Sequence, residues 1–198
     1  MNIHRHPLNG RNFEYFSEDP FVTGKMAAAM IRGLKSAGVT GTAKHFCANN
    51  QEKARSRANS QVSERALREI YLKGFEIAIT ESQPMSIMTS YNLINGVHAA
   101  NCEDTCTKAA RCEWGFQGVI MTDWTTTEYG PDCTASGCMR AGNDLVMPGA
   151  FSDRDNLNQE LADGTLSMED LKACISRLVN ITWQSMEFED AAPYKKVK

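Results

Sequence analysis

The runs TGTAKHF (40–46), MSIMTSYN (85–92), GVIMTDW (118–124) and NDLVMPG (143–149) leave few folds open to this chain. Each holds a few apolar or β-branched residues, nearly continuous rather than alternating, and closes on polar residues or on Gly and Pro. Such runs suit parallel strands covered on both faces. The opening MNIH is a candidate fifth. Stretches with helical spacing lie between them. Residues 20–37 follow Ser17-Glu-Asp-Pro, with proline suited to a first helical turn. Residues 63–80 bring Ala66, Ile70, Phe75, Ile77 and Ala78 near one face, and shorter helices are expected at 106–114 and 134–141. Residues 167–183 start on a Ser-x-x-Asp cap and align Leu171, Cys174, Ile175, Leu178 and Ile181. Strand alternating with helix predicts an α/β fold. A closed (β/α)8 barrel takes about 250 residues, so a 198-residue chain supports a partial TIM-like barrel or a small open sheet. Residues 1–185 would form it, and 186–198 a polar tail.

Composition narrows the function classes. The chain is 42% hydrophobic and 23% charged with a net charge of −3, and its acids and bases are mixed. That balance gives no footing for nucleic acid or an anionic membrane. The short basic cluster at 53–57 reads as a solvated loop. No stretch approaches the roughly 18 apolar residues of a membrane span. No Gly-rich nucleotide-binding motif follows a strand. The start, MNIHRHPLNG, lacks the apolar core of a signal peptide. A cytoplasmic location is therefore expected, as is further sequence upstream. The cysteine count is odd, seven, with no C-x-x-C pair, so reduced thiols are expected. Cys102, Cys106, Cys133 and Cys138 have only weak spacing for zinc.

The chemistry collects at strand ends. Lys44 and His45 close one run, Ser90, Tyr91 and Asn92 the next, Asp123 and Trp124 the third. An isolated aspartate is ordinarily a helix cap or a turn residue. In parallel α/β folds, however, the carboxyl ends of strands form the ligand face. A cation, an imidazole, a phenol, a carboxylate and an indole around one mouth suit a polyhydroxylated ligand. The carboxylate can attack an anomeric carbon and form a glycosyl ester. Arg11 and Lys44 can donate to sugar oxygens, and Tyr91 is expected to donate to Asp123. A rival reading takes His4 and His6 as metal ligands of a metal-dependent barrel hydrolase. Trp114 and Trp183 are expected in the core, and Arg32, Arg65 and Arg68 as solvated helix charges.

Five segments in order carry a family resemblance: NIHRHPLNGRNFEYFSEDP, KHFCANNQE, MTSYNLINGVHAANC, GFQGVIMTDW and AGNDLVMPG. Together they resemble the catalytic barrel domain of glycoside hydrolase family 3, the β-glucosidases, β-xylosidases and relatives, across nearly the whole chain. The resemblance implies the C-terminal half of that barrel, with Asp123 as nucleophile. Arg11, Lys44, His45, Met88, Tyr91 and Trp124 would line the site of the terminal sugar, glucose before xylose. No cofactor is implied. The partners implied are a small β-glycoside or oligosaccharide, the first part of the barrel, and a second domain that usually supplies the acid/base. No second carboxylate stands out. Glu52, Glu64, Glu128 and Asp144 read as loop, cap or helix-surface acids, so a catalytically silent sugar-binding fragment is the other expectation.

Overall fold

In the computed structural model of the protein, which describes residues 1–190, strands and helices alternate as expected. Helix α1 (Pro20–Ser36) starts where Asp19 accepts the Val22 amide at 2.8 Å, with Pro20 in its first turn. It leads to β1 (Thr42–Phe46) and, after a long excursion, to β2 (Asn59–Ser60). Next, α2 (Glu64–Ala66) runs through a wide π turn (Leu67–Tyr71) into α3 (Lys73–Ser82). Strands β3 (Ser86–Thr89), β4 (Leu93–Ile94) and β5 (Val97–His98) follow, then a π-wound helix (Asp104–Glu113) and β6 (Val119–Met121). The chain ends in α4 (Thr126–Tyr129), α5 (Ala135–Arg140), α6 (Phe151–Ala162) and α7 (Met168–Asp190). Among the described residues no helix is long and apolar enough to cross a membrane.

Strands β1, β3 and β6 form a parallel sheet in that order, with Ala43, Ile87 and Ile120 in one row and Lys44, Met88 and Met121 in another. The first row is apolar and buried under α1, α3 and the π-wound helix, in a core with Ile31, Phe75, Ile79 and Phe116. Phe46 stands edge-on to Phe75, with ring centroids 4.9 Å apart, and to Trp114. The other face carries the polar strand ends. Crossing from helix to sheet needs two close approaches. A methyl group on Gly24 would sit 2.7 Å from Cβ of Ile77, so glycine lets α1 lie against α3. A methyl group on Gly118 would strike the Met85 carbonyl, which accepts the Val119 amide at 3.0 Å.

Two expected strands are reduced. The opening segment forms no ladder. It lies beside β1 through the Met1 amine, which donates to the Lys44 carbonyl, and the Asn2 amide, 3.0 Å from the His45 carbonyl. The 143–149 run touches β6 through one bridge, Met121 to Leu145, because Asp144 and Leu145 amides share the Ile120 carbonyl before Pro148 ends the extension. The piece remains a partial barrel of parallel strands, as expected. A second small sheet, β2–β4–β5, went unforeseen. Its β4–β5 hairpin turns on Asn95-Gly96, both at positive φ, the turn chemistry of a two-residue hairpin. Helix α6 also went unforeseen. Its sequence is mostly polar and only Leu157 and Leu161 reach the cluster around Cys138, Met139 and Leu166.

Side chains depart from expectation in three further places. Trp114 packs on the core, but Trp183 is exposed on α7, as is Ile175. Asp144 is no surface acid. Its side chain is fully buried and accepts from Arg111 at 2.6 Å, from Arg177 at 2.7 Å and from the Ile120 amide at 2.9 Å. That triad ties β6, the π-wound helix and α7 together. The helix α7 passes beyond residue 183 to Asp190, and residues 191–198 of the expected tail lie outside the described residues.

Candidate active site

Asp123 lies two residues past the end of β6 and is 9% exposed. Its two carboxylate oxygens have different partners. Oδ1 accepts the Trp124 amide at 2.7 Å, while Oδ2 faces Nε2 of His45 at 3.3 Å. The side chain is not a helix cap, since α4 begins at Thr126 behind Thr125, which makes no side-chain capping bond. The Asp123 carbonyl accepts the Thr126 hydroxyl at 2.8 Å, which holds the turn that presents the carboxylate.

His45 comes from the end of β1, where the pairing register with β3 slips between Lys44 and Phe46. A bulge at a strand end re-aims side chains, and here the exposed Lys44 is followed by a His45 only 2% exposed. Burial first, then the charges of Arg11 and Lys44, lower the His45 pKa to about 3, so the ring is neutral at ordinary pH. The contact with Asp123 is thus a polar approach at 3.3 Å rather than an ion pair. A neutral imidazole carries one N–H. Nε2 is flanked by the Arg11 Nη1 donor at 3.4 Å and the Asp123 carboxylate at 3.3 Å, while Nδ1 is buried without a partner.

Arg11 closes the same side, with Nη1 3.4 Å from His45 Nε2. Glu14 grips it through Nε at 2.5 Å and Nη2 at 3.1 Å, and Glu52 lies 3.9 Å from Nη1. Glu52 also accepts from Arg55 at 2.9 Å and from Asn49 at 3.2 Å. Arg55 in turn lies 4.4 Å over the Tyr91 ring. Neither Glu52 nor Arg55 is the solvated loop residue expected. The spacing Glu52-x-x-Arg55, close behind the Lys44-His45 pair, was the available signal.

The Tyr91 hydroxyl donates to the Trp124 carbonyl at 2.7 Å, with the Asp123 carboxylate also within its hydrogen-bonding reach. The phenol senses that carboxylate. Burial first and the Asp123 charge second push Tyr91 up to about 12, so it stays a donor. Trp124 is 58% exposed and offers its ring to the open face. Met88 is half-buried in β3, directly across from Lys44. The Lys44 ammonium pairs with no carboxylate among the described residues. Arg11, Lys44, His45, Met88, Tyr91, Asp123 and Trp124 thus come from the ends of neighbouring parallel strands and the adjoining loop.

The rival metal pair is not brought together. His4 Nε2 is occupied by the Asn12 and Tyr15 carbonyls, at 2.9 and 3.0 Å, while His6 Nδ1 accepts the Leu8 amide at 3.0 Å. Among the described residues no three His, Cys, Asp or Glu side chains are arranged to hold a metal ion. The exposed Arg32, Arg65 and Arg68 pair with helix-surface glutamates, as surface charges do.

The family model described as "Glycosyl hydrolase family 3 N terminal domain" matches residues 1–181. A β-glucosidase of Ruminococcus albus is 54% identical over 179 residues, which cover 87% of this chain and 19% of that protein. An exo-α-(1→6)-L-arabinopyranosidase of Bifidobacterium breve is 41% identical over 181 residues, 91% of this chain and 23% of that protein. Among solved structures, β-glucosidase 3B of Thermotoga neapolitana in complex with glucose superposes with a TM-score of 0.88 at 43% identity, covering 96% of this chain and 27% of that one. The chain therefore spans about a fifth to a quarter of the proteins it resembles.

Proposed function

The chain belongs to glycosyl hydrolase family 3, and from that membership we propose that it supplies the nucleophile half of a retaining β-glycosidase acting on a terminal β-linked sugar, glucose first. Asp123 Oδ2 attacks the anomeric carbon as the bond to the leaving oxygen breaks, and a glycosyl ester forms. Water then attacks the same carbon and releases the sugar with its configuration retained. Oδ1, held by the Trp124 amide, keeps the carboxylate aimed, and the neutral His45 steadies Oδ2 until attack. Arg11 and Lys44 donate to sugar hydroxyls, Trp124 packs on the apolar face of the ring, and Tyr91 and Met88 bound the pocket.

The observation that carries this reading is the division of labour on Asp123: one oxygen fixed by backbone, the other turned to the mouth beside an uncharged imidazole. Glu14 and Glu52, the carboxylates built into the cluster, are both spent on guanidinium groups. The proton for the leaving oxygen is accordingly assigned to the part of the longer protein beyond this chain. That assignment also favours a second reading, in which the isolated chain binds sugar without turning it over. An aryl 2-deoxy-2-fluoro-β-glucoside with a good leaving group separates the two, because such a leaving group departs without protonation. Intact-mass and peptide analysis should find one fluoroglucosyl adduct on Asp123. An adduct on another residue overturns the assignment. Sugar-dependent stabilisation with no adduct supports the binding-only reading.

A further inference from the structure

The two thiols Cys133 and Cys138 sit on the same acceptor. Cys133 Sγ donates to Asn101 Oδ1 at 3.4 Å and Cys138 Sγ to the same oxygen at 3.1 Å. Helix geometry explains the pairing. Thr134 is the N-cap of α5 and accepts the Gly137 amide at 3.0 Å, so Cys133 precedes the cap and Cys138 is the fourth helical residue. Those are the two positions whose side chains fold onto each other at a helix entrance. Asn101 reaches in because Gly137 has no side chain; a methyl group there would strike its amide.

His98 completes the cluster. It is 3% exposed, and neither ring nitrogen has a well-aligned hydrogen-bond partner. A buried imidazole with so little hydrogen bonding calls for a use. Its Nε2 lies against Gly130, and its ring is beside Cys133. Hydrogen bonding from Cys138 first, and His98 after it, lowers the Cys133 pKa to about 6 against the cost of burial. The Cys138 thiol is driven the other way, by that same bond and by burial. Asp153 and Cys106 also face the pair, and both raise the thiol pKa values they reach. The sulfurs therefore differ: Cys133 is the more acidic of the two.

We propose that Cys133 and Cys138 are a peroxide-responsive modification site, with Cys133 the attacking sulfur and Cys138 the resolving one. The Cys133 thiolate attacks one oxygen of hydrogen peroxide; an S–O bond forms, the O–O bond breaks, and the departing hydroxide takes a proton to leave as water. Cys138 Sγ then attacks the Cys133 sulfenic acid. The S–S bond forms, the S–O bond breaks, and the Cys138 proton leaves with the hydroxyl as a second water, with His98 placed to relay it. Two thiols lose two electrons and one peroxide gains them. Peroxide is small enough for a sulfur 5% exposed. The reduced pair is restored by a dithiol. The disulfide joins the end of the loop that begins at Trp124 to the first turn of α5, where sulfur–sulfur contact at about 2.05 Å replaces the two bonds to Asn101.

The inference does not depend on glycosidase activity. The folded chain is treated with hydrogen peroxide near neutral pH, remaining thiols are blocked with an alkylating agent, and peptides are mapped by mass. The expected product is a Cys133–Cys138 cross-link, lighter by two hydrogens and reversed by dithiothreitol. In Cys138→Ser, Cys133 should instead accumulate as a sulfenic acid trapped by dimedone. His98→Gln should move the midpoint of Cys133 alkylation to higher pH. Oxidation of the exposed Cys112 with Cys133 and Cys138 still reduced would overturn the proposal. If Cys138→Ser does not fold, the cross-link map of the unmutated chain decides alone.

Discussion

Replacing His45 with glutamine should remove a distinct part of the acid sensitivity of this fold. The imidazole is held at about 3 in the folded chain against an ordinary value of 6.5. Because the folded value is the lower one, the unfolded chain takes up the proton first. The stabilisation is full above 6.5 and is lost as pH falls toward about 3. Linkage with those two values gives a loss of about 1.4 kcal/mol near pH 5.5 and about 2.7 kcal/mol near pH 4.5. Glutamine keeps a polar side chain of similar reach and does not titrate. The Met1 amine, lowered by burial to about 5 from 8.0, adds a loss in the higher window between those values, but it is common to both proteins. Urea unfolding followed by tryptophan fluorescence, at pH 7 and near pH 4.5, should therefore show His45→Gln losing about 2.5 kcal/mol less than the parent. Equal losses in the two proteins would refute the neutral, buried imidazole.

Two other outcomes follow from single groups. Asp144→Asn leaves Arg111 and Arg177 without their buried counter-charge and should destabilise the chain by about 3–5 kcal/mol, checked by denaturant midpoint; a cost below about 1 kcal/mol would contradict the triad. Tyr91→Phe deletes the bond to the Trp124 carbonyl and should cost about 1 kcal/mol of stability while slowing fluoroglucoside labelling of Asp123, since the turn behind Trp124 loses its tether; unchanged labelling would separate Tyr91 from the site.

What the sequence discloses and what it hides have physical causes. Strands β3 and β6 were legible because both their faces are buried or half-buried, which forces continuous apolar runs, and β1 by its buried Ala43, His45 and Phe46. The strand-end residues were legible as a set because parallel topology sends every such end to one side. The 143–149 run misled: its apolar residues are real, but Asp144 spends its side chain on two arginines and Pro148 stops the ladder. No spacing rule connects residues 111, 144 and 177. The Asn95-Gly96 hairpin was signalled by its dipeptide and overlooked because its strands have two residues each. Helix α6 has too few apolar residues to show a face. The Glu52–Arg55–Tyr91 stack needed the folded excursion after β1 to exist at all.

That excursion is fastened along its return. The Asn95 amide group binds both the carbonyl and the amide of Val62, each at 2.8 Å, much as a neighbouring strand would. The Ser60 hydroxyl holds the Ala48 carbonyl at 2.9 Å, and the Leu93 amide holds that of Ala58, also at 2.9 Å. A long connection stitched at so many points behaves as a bracket rather than a flap. Arg55 and Glu52 ride on that bracket, so their positions are set when the chain folds. Under the proposed function, a sugar would meet a site whose neighbouring loop is already in place, and the entropy of ordering that loop would not weaken its grip.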